Sequence, residues 1–245
     1  MDLKSKIILI SGPTASGKSK FALKLAKKIN GEIINADSMQ VYKELSILTT
    51  RPLKNDQKNI KHHLYGFISL NKKFSTGHWL KKAITKIKEI KRRKKIPILV
   101  GGTGLYFQAL TKGLVKIPNI PIKFRNRIRL IQKKEGQKNF YKKLIKLDPK
   151  VKNKFDKNDV QRSIRAYEIK RYTSISMYQW ITKTKPVFDQ NSFLKLYLNI
   201  ERQNLLKRIE KRTFSIINKQ AIKEVKKLLK LKTKKKSQYF KSYWF

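Results

Sequence analysis

The run Ile7-Ile8-Leu9-Ile10-Ser11-Gly12-Pro13-Thr14-Ala15-Ser16-Gly17-Lys18-Ser19 decides the fold. Its first four residues are apolar without alternation, the pattern of a strand in a parallel sheet covered on both faces. Gly12 to Ser19 then fits G-x-x-x-x-G-K-[ST], and Phe21 to Ile29 has the spacing of an amphipathic helix. In that strand, loop and helix context, glycines let successive backbone N–H groups converge on phosphate oxygens at a helix N-terminus. Lys18 adds a cation, and Ser19 a hydroxyl able to ligate Mg²⁺. Gly12, Pro13, Thr14, Ala15, Ser16, Gly17, Lys18 and Ser19 are therefore the expected phosphate site. The run leaves open which phosphate compound binds.

Working outward, Ile96-Pro97-Ile98-Leu99-Val100 is a second unalternating run, and Ile33-Ile34-Asn35-Ala36 a third candidate strand. Trp79, Leu80, Ala83, Ile84, Ile87 and Ile90 recur at helical spacing, so Gly77 to Arg93 reads as a crossover helix with a lysine-rich outer face. Strand, helix, strand gives an α/β core. From about Val115 the texture changes: Pro118 and Pro121 punctuate, Phe140, Leu144 and Leu147 take helical spacing, and Asp148-Pro149 breaks again. Alternation returns at Leu194, Leu196, Leu198 and Ile200, a strand rejoining the sheet. The expected architecture is a P-loop NTPase-like parallel-sheet core over residues 1–114 and 190–245, with a helical insertion domain over 115–189 that contacts RNA. Ile222 to Leu231 reads as a basic helix, and Lys232 to Lys236 as a solvated run.

Among the 245 residues, 61 Lys+Arg stand against 15 Asp+Glu, a formal net charge of +46. That sign attracts phosphate backbones and makes a polyanion the leading partner. Codon bias that inflates Lys, Asn and Ile together accounts for the excess equally well, so charge alone does not fix function. With no cysteine there is no disulfide framework, thiolate zinc site or cysteine nucleophile. No stretch approaches the ~18 apolar residues of a membrane span, and the first apolar run is too short for a signal peptide. The expectation is a soluble, cytoplasmic protein, monomeric and without a membrane partner.

Further chemistry-bearing segments lie at expected carboxyl ends of strands, where open α/β sheets bind ligands. Asp37-Ser38-Met39-Gln40-Val41-Tyr42 follows the third candidate strand. Asp37 is either a helix N-cap or a general base that takes a proton from an acceptor and holds a magnesium-bound water. Gly101-Gly102-Thr103-Gly104-Leu105-Tyr106 is either a tight turn with positive φ or a place for close ligand approach. In Asp159-Val160-Gln161-Arg162-Ser163-Ile164-Arg165-Ala166, a capped helix start puts Arg162 and Arg165 on one face, for RNA or for solvent. Arg212, in Arg208-Ile209-Glu210-Lys211-Arg212, reaches a donor diphosphate or is simply exposed. His62-His63 has no metal-like partner in the sequence and reads as packing or capping.

Taken in this order, the octet Gly12 to Ser19, Ala36-Asp-Ser-Met-Gln-Val-Tyr42, His62-His-Leu64, Val100-Gly-Gly-Thr-Gly-Leu-Tyr106, Asp159 to Ala166 and Arg208 to Arg212 resemble the tRNA dimethylallyltransferase, or tRNA isopentenyltransferase, family. The resemblance implies transfer of a dimethylallyl group from dimethylallyl diphosphate to the exocyclic N6 amine of the adenosine 3′-adjacent to the anticodon, in tRNAs reading codons that start with U. It implies that Asp37 is the base, with Lys18, Thr103 and Arg212 in the catalytic set. Lys18, Ser19 and Arg212 would handle diphosphate and Mg²⁺, with Ser19 the metal ligand. Asp37, Ser38, Met39, Gln40, Thr103, Arg125, Gln161, Arg162, Ser163, Ile164 and Arg165 would contact the anticodon stem-loop. Leu48-Thr49-Thr50-Arg51-Pro52 stands where the family has Gly-Thr before a Lys-Pro pair, keeping a hydroxyl, a base and the proline. The family's Gly-Tyr segment and arginine-rich helix beyond this point are not recognisable, and Lys234 to Phe245 reads as a truncation or a shifted reading frame. A P-loop small-molecule kinase and a catalytically impaired RNA-binding remnant of the family are the alternatives.

Overall fold

The computed structural model describes residues 3–52, 55, 58–72, 74–218 and 221–233. The polypeptide divides into two compact units, one made of Met1–Thr111 and Phe188–Phe245, the other of Lys112–Val187.

The first unit is a five-stranded, fully parallel sheet in the order β3-β2-β4-β1-β5. The strands are β1 (Ile7–Ser11), β2 (Gly31–Asn35), β3 (His62–His63), β4 (Ile96–Val100) and β5 (Phe193–Tyr197). The helices around them are α1 (Lys18–Lys28), α2 (Thr76–Arg92) and α3 (Gly104–Lys112), followed after the insertion by α7 (Arg202–Asn218) and α8 (Ala221–Thr233). Alternate residues of β1 go to opposite layers. Ile7 and Leu9 pack with Trp79, Ala83 and Ile87 of α2, whereas Ile8 and Ile10 pack with Ala22 and Ala26 of α1. Every residue of β2 and β4 is buried, which is why their sequences show no alternation. The edge strand β5 alternates, with Lys195 and Tyr197 exposed. In this order β1 sits between β4 and β5, so ligand-binding loops gather beyond the carboxyl ends of β1, β2 and β4.

The glycines after β4 serve the fold in a way the sequence did not suggest. None of Gly101, Gly102 and Gly104 has positive φ. Gly101 instead leaves room for the neighbouring chain: a Cβ there would fall on the Ala36 carbonyl and within 2.7 Å of Asp37 N. Those are backbone atoms, so Gly101→Ala must displace the segment carrying Asp37. It is expected to cost about 1–3 kcal/mol, read as a lower denaturation midpoint. Full stability would show that the segment yields freely.

His63 is placed by a hydrogen bond to a buried carboxylate rather than by packing or capping. Its Nε2 lies 2.7 Å from Oε2 of Glu32, a β2 residue 1% exposed, and Arg93 and Lys95 approach the same carboxylate at 2.7 and 3.6 Å. Burial by itself would raise the Glu32 carboxyl, but hydrogen bonds from Arg93 and His63 hold it below its ordinary 4.5. A carboxyl lowered in the folded state gives stability that is full above its unfolded value and is lost as pH falls through the folded one. Melting temperature should therefore fall faster in wild type than in Glu32→Gln once the pH drops below 4.5. Parallel curves would remove Glu32 from acid stability.

The second unit is built from helices α4 (Ile122–Leu147), α5 (Val160–Thr173) and α6 (Met177–Thr182) around Ile128, Phe140, Leu144, Val151, Ile164 and Tyr167. Gly136, at φ 73, breaks α4 into two helical pieces. Asp159 caps α5 by accepting from Arg162 N at 2.9 Å, as its sequence suggested.

Among the described residues no helix is long and apolar enough to cross a membrane. The expected solvated run Lys232 to Lys236 falls largely outside the described residues, and the ending Lys234 to Phe245 wholly so.

Candidate active site

The loop between β1 and α1 has the shape of an anion cradle. Gly17, at φ 86, takes the left-handed conformation that starts α1 without a side-chain cap. Ala15 is also left-handed, at φ 62, without glycine's freedom, a local strain of the kind found in ligand-holding loops. Ser16 is buried. Lys18 folds back over the loop, its Nζ donating to the carbonyls of Gly12 at 2.9 Å and Pro13 at 2.6 Å. Burial lowers the Lys18 ammonium below the usual lysine range. Asp37 opposes that shift and Arg212 adds to it. Those two charges, remote in sequence, therefore lie within electrostatic reach of the cradle.

Asp37 leaves the end of β2 in a turn fixed on both sides. Its Oδ1 accepts from Met39 N, and its N–H donates to Asn35 Oδ1, both at 2.9 Å. Asn35, fully buried, spends its amide on the carbonyls of Asp37 and Leu64 at 2.9 and 3.0 Å. Below it the Trp79 indole donates to Asn35 O at 2.8 Å and stacks on Tyr106 at 4.1 Å between centroids. Thr103, beyond β4, accepts from Ser38 N at 2.9 Å and lies 3.3 Å from Ser38 Oγ. The ends of β2 and β4 are thus tied together, with Asp37, Ser38 and Thr103 adjacent. Gln40 donates to Thr49 O at 2.8 Å.

Beside Ser19 opens a cavity of about 860 Å³ with apolar walls from Ala22, Leu23, Ile33, Ile47, Val100 and Ile216. Arg51 and Tyr65 supply polar groups to it. Arg51 donates to Tyr42 O at 3.0 Å and occupies the space where a side chain at Gly66 would lie. Burial pushes the Tyr65 phenol well above the usual tyrosine range, and the negative charge of Asp37 pushes it further.

The remaining sequence-selected residues lie in the second unit. Arg125 Nε and Arg165 Nη1 meet one oxygen of the buried Glu168 at 3.2 and 3.3 Å. Arg162, on the exposed side of α5, pairs with Asp159 at 3.3 Å, and Gln161 is exposed beside it. Ser163 and Ile164 point inward. Ser163 is fully buried and accepts from Gln137 at 3.0 Å, and Ile164 joins the hydrophobic core. Their helical positions, four and five residues after the cap Asp159, turn them toward α4.

Asn35, Tyr65 and Glu224 escaped the sequence reading, and Arg51 figured there only as the base within Leu48 to Pro52. Asn35 carried a signal, a polar residue closing an apolar strand just before Asp37. Glu224 carried another, a single acid within a basic helix. Arg51 and Tyr65 acquire their roles only through contacts distant in sequence.

The sequence profile described as IPP transferase matches residues 40–243. A tRNA dimethylallyltransferase of Pelagibacter ubique (strain HTCC1062) is 70% identical over 235 residues, which is 96% of this chain and 75% of that protein. One of Rickettsia massiliae (strain Mtu5) is 44% identical over 91% of this chain and 61% of its own length. Among solved structures, a eukaryotic dimethylallyltransferase acting on tRNA aligns with a TM-score of 0.81 at 30% identity, over 94% of this chain and 57% of that one. The tRNA isopentenylpyrophosphate transferase of Bacillus halodurans aligns with a TM-score of 0.60 at 33% identity, over 92% of this chain and 70% of that one. The chain therefore spans between 57% and 75% of the length of these four proteins. A phosphate cradle on a P-loop NTPase-like sheet, a carboxylate and a threonine at neighbouring strand ends, and these similarities agree: the chain belongs to the IPP transferase family, the tRNA dimethylallyltransferases.

Proposed function

We propose that this chain transfers a dimethylallyl group from dimethylallyl diphosphate to the N6 amine of the adenosine 3′-adjacent to the anticodon in tRNAs reading UNN codons. One observation carries the reading: β2, β4 and β1 are neighbours in the sheet, so Asp37, Thr103 and the phosphate cradle follow the carboxyl ends of adjacent strands, with Ser38 N bonded to Thr103 at 2.9 Å. In the reaction the bond from the prenyl C1 to the diphosphate oxygen breaks and the bond from C1 to N6 forms. The N6 proton passes to Asp37, and diphosphate leaves with the bonding electrons. Negative charge then grows on the leaving group, where loop N–H groups, Lys18 and Arg212 stabilise it. The apolar cavity beside Ser19 is suited to shelter the prenyl chain from water.

Mg²⁺ fits this site as an ion held mainly by substrate phosphates, which needs few protein ligands. The Ser19 hydroxyl at the start of α1 is the ligand offered, and among the described residues no group of three His, Asp or Glu side chains forms a protein cage for a metal. Bound with the donor, the ion neutralises charge on the diphosphate oxygens.

Ser38, Met39, Gln40 and Thr103 form the acceptor side with Asp37. Arg125, Gln161, Arg162 and Arg165 belong to the RNA-binding surface of the helical insertion, where arginines engage backbone phosphates and base edges. Ser163 and Ile164 would support that surface from beneath. Acting on tRNA fits a monomeric, cytoplasmic protein. Family membership favours prenyl over phosphoryl transfer, so the kinase reading falls behind.

The test is to incubate the chain with dimethylallyl diphosphate, Mg²⁺ and unmodified tRNA, then weigh the nucleosides after digestion. A mass gain of one dimethylallyl group on adenosine supports the proposal. Retained tRNA binding without any gain supports an RNA-binding remnant instead.

A further inference from the structure

Between residues 221 and 233 the sequence has one acidic residue, Glu224. Its carboxylate turns inward to the loop after Leu45. Oε1 accepts from Ser46 N at 2.8 Å, Ile47 N at 3.0 Å and Ser46 Oγ at 3.0 Å, while Oε2 accepts from Leu48 N at 2.8 Å. Three consecutive N–H groups converging on one anion make a backbone nest, here filled by a side chain from a helix more than 170 residues away. Burial would raise this carboxyl, but the four hydrogen bonds hold it below the usual range and keep it charged.

The clamped segment is a compact turn closed by Thr50 N to Ile47 O at 2.9 Å and Arg51 N to Ser46 O at 3.0 Å. Its other side faces the site. Thr49 O receives the Gln40 amide at 2.8 Å, and Arg51 reaches back to Tyr42 O. Without Glu224 three half-buried N–H groups would lose their acceptor, and the turn, still closed by its own bonds, would lose its anchor to α8 and be free to tilt. Gln40 would then lose the carbonyl that orients it beside Asp37.

We propose that Glu224 is a positioning residue for the acceptor: by clamping Ser46 to Leu48 it sets the Thr49 carbonyl, and through it the Gln40 amide. The inference rests on the reading of Asp37 to Gln40 as the acceptor side. Glu224 touches no reacting atom; it acts through the turn.

A double-mutant cycle on the full chain tests this, with prenyl transfer to tRNA as readout. Glu224→Ala and Gln40→Ala should each lower kcat/KM for tRNA by about 10- to 100-fold, the range expected from slight misplacement of a reacting group. The double variant should be no worse than the weaker single variant by more than a few-fold, because both break one chain of contacts. Glu224→Gln, which keeps one oxygen for Ser46 and Ile47 but sets an amide against Leu48 N–H, should fall between wild type and alanine. Hydrogen exchange should quicken at Ser46, Ile47 and Leu48 in these variants while β1 stays protected. Additive losses, or full activity in Glu224→Ala, would overturn the proposal. If Glu224→Ala does not fold, Glu224→Gln with its exchange pattern decides, and undisturbed amides at 46–48 with full activity would overturn it. A wild-type chain that transfers nothing would sink the functional reading instead. Unchanged exchange at 46–48 in that case would sink the clamp as well.

Discussion

Asp37→Ala is expected to abolish prenyl transfer, lowering turnover by about 10²–10⁴-fold, the usual worth of a positioned general base. Affinity for tRNA should stay within a few-fold, since one carboxylate adds little to binding a polyanion. In the proposed reaction the side chain has two jobs. Oδ1 accepts from Met39 N at 2.9 Å and so holds the turn, leaving Oδ2 for the acceptor amine. Asp37→Asn separates the two, because an amide oxygen still accepts from Met39 but cannot take a proton. Both variants should therefore be inactive, with the turn intact in the asparagine form. An active asparagine variant would return Asp37 to the capping role that a lone aspartate after a strand most often has.

Lys18→Ala acts on the other half of the reaction. The ammonium sits 2.9 and 2.6 Å from the carbonyls of Gly12 and Pro13, so it is already poised over the cradle when the donor arrives. In the proposed reaction it stabilises the charge that develops on the leaving diphosphate, and loss of one such group typically costs about 10²–10³-fold in turnover. Lys18→Arg should not rescue, since a planar fork cannot take the place of a compact ammonium bonded to two loop carbonyls. Binding of tRNA should be unchanged, which distinguishes loss of the donor site from unfolding. Single-turnover measurement at saturating tRNA reads the effect. A Lys18→Ala chain that keeps wild-type turnover would show that loop N–H groups and metal suffice.

The core was readable where burial writes itself into sequence. β4 runs from Ile96 to Val100, the very residues of the unalternating run, because helices cover both faces of the sheet. β2 begins at Gly31, two residues before its expected start. Gly31 and Glu32 look unlike strand residues, yet both are buried, Glu32 by virtue of its ion pairs. β3 has two residues, too few for any period. In α4 the positions Phe124, Ile128 and Ile131 do keep helical spacing, but the exposed Ile122 and Leu130 blur that face and Gly136 interrupts the helix.

At the site, Lys18, Asp37 and Thr103 were legible because short motifs fix them beside strand ends. Their supports were not. Asn35 under Asp37 and Glu224 behind Gln40 act through hydrogen bonds spanning 29 and 176–178 residues, which no local pattern records. Arg125 and Arg165 looked free in sequence, yet both are drawn to Glu168. In so basic a chain the scarce carboxylates Glu32, Glu168 and Glu224 mark places where burial has selected a partner.

The proposed reaction brings a diphosphate leaving group and an adenosine amine together at one site. The most direct measurement follows released diphosphate and modified nucleoside together, with wild-type chain, dimethylallyl diphosphate, Mg²⁺ and unmodified tRNA. Equal amounts of both are expected, with the added group on N6 of the adenosine following the anticodon. Diphosphate release without nucleoside modification, or phosphate release from ATP with no prenyl transfer at all, would contradict it.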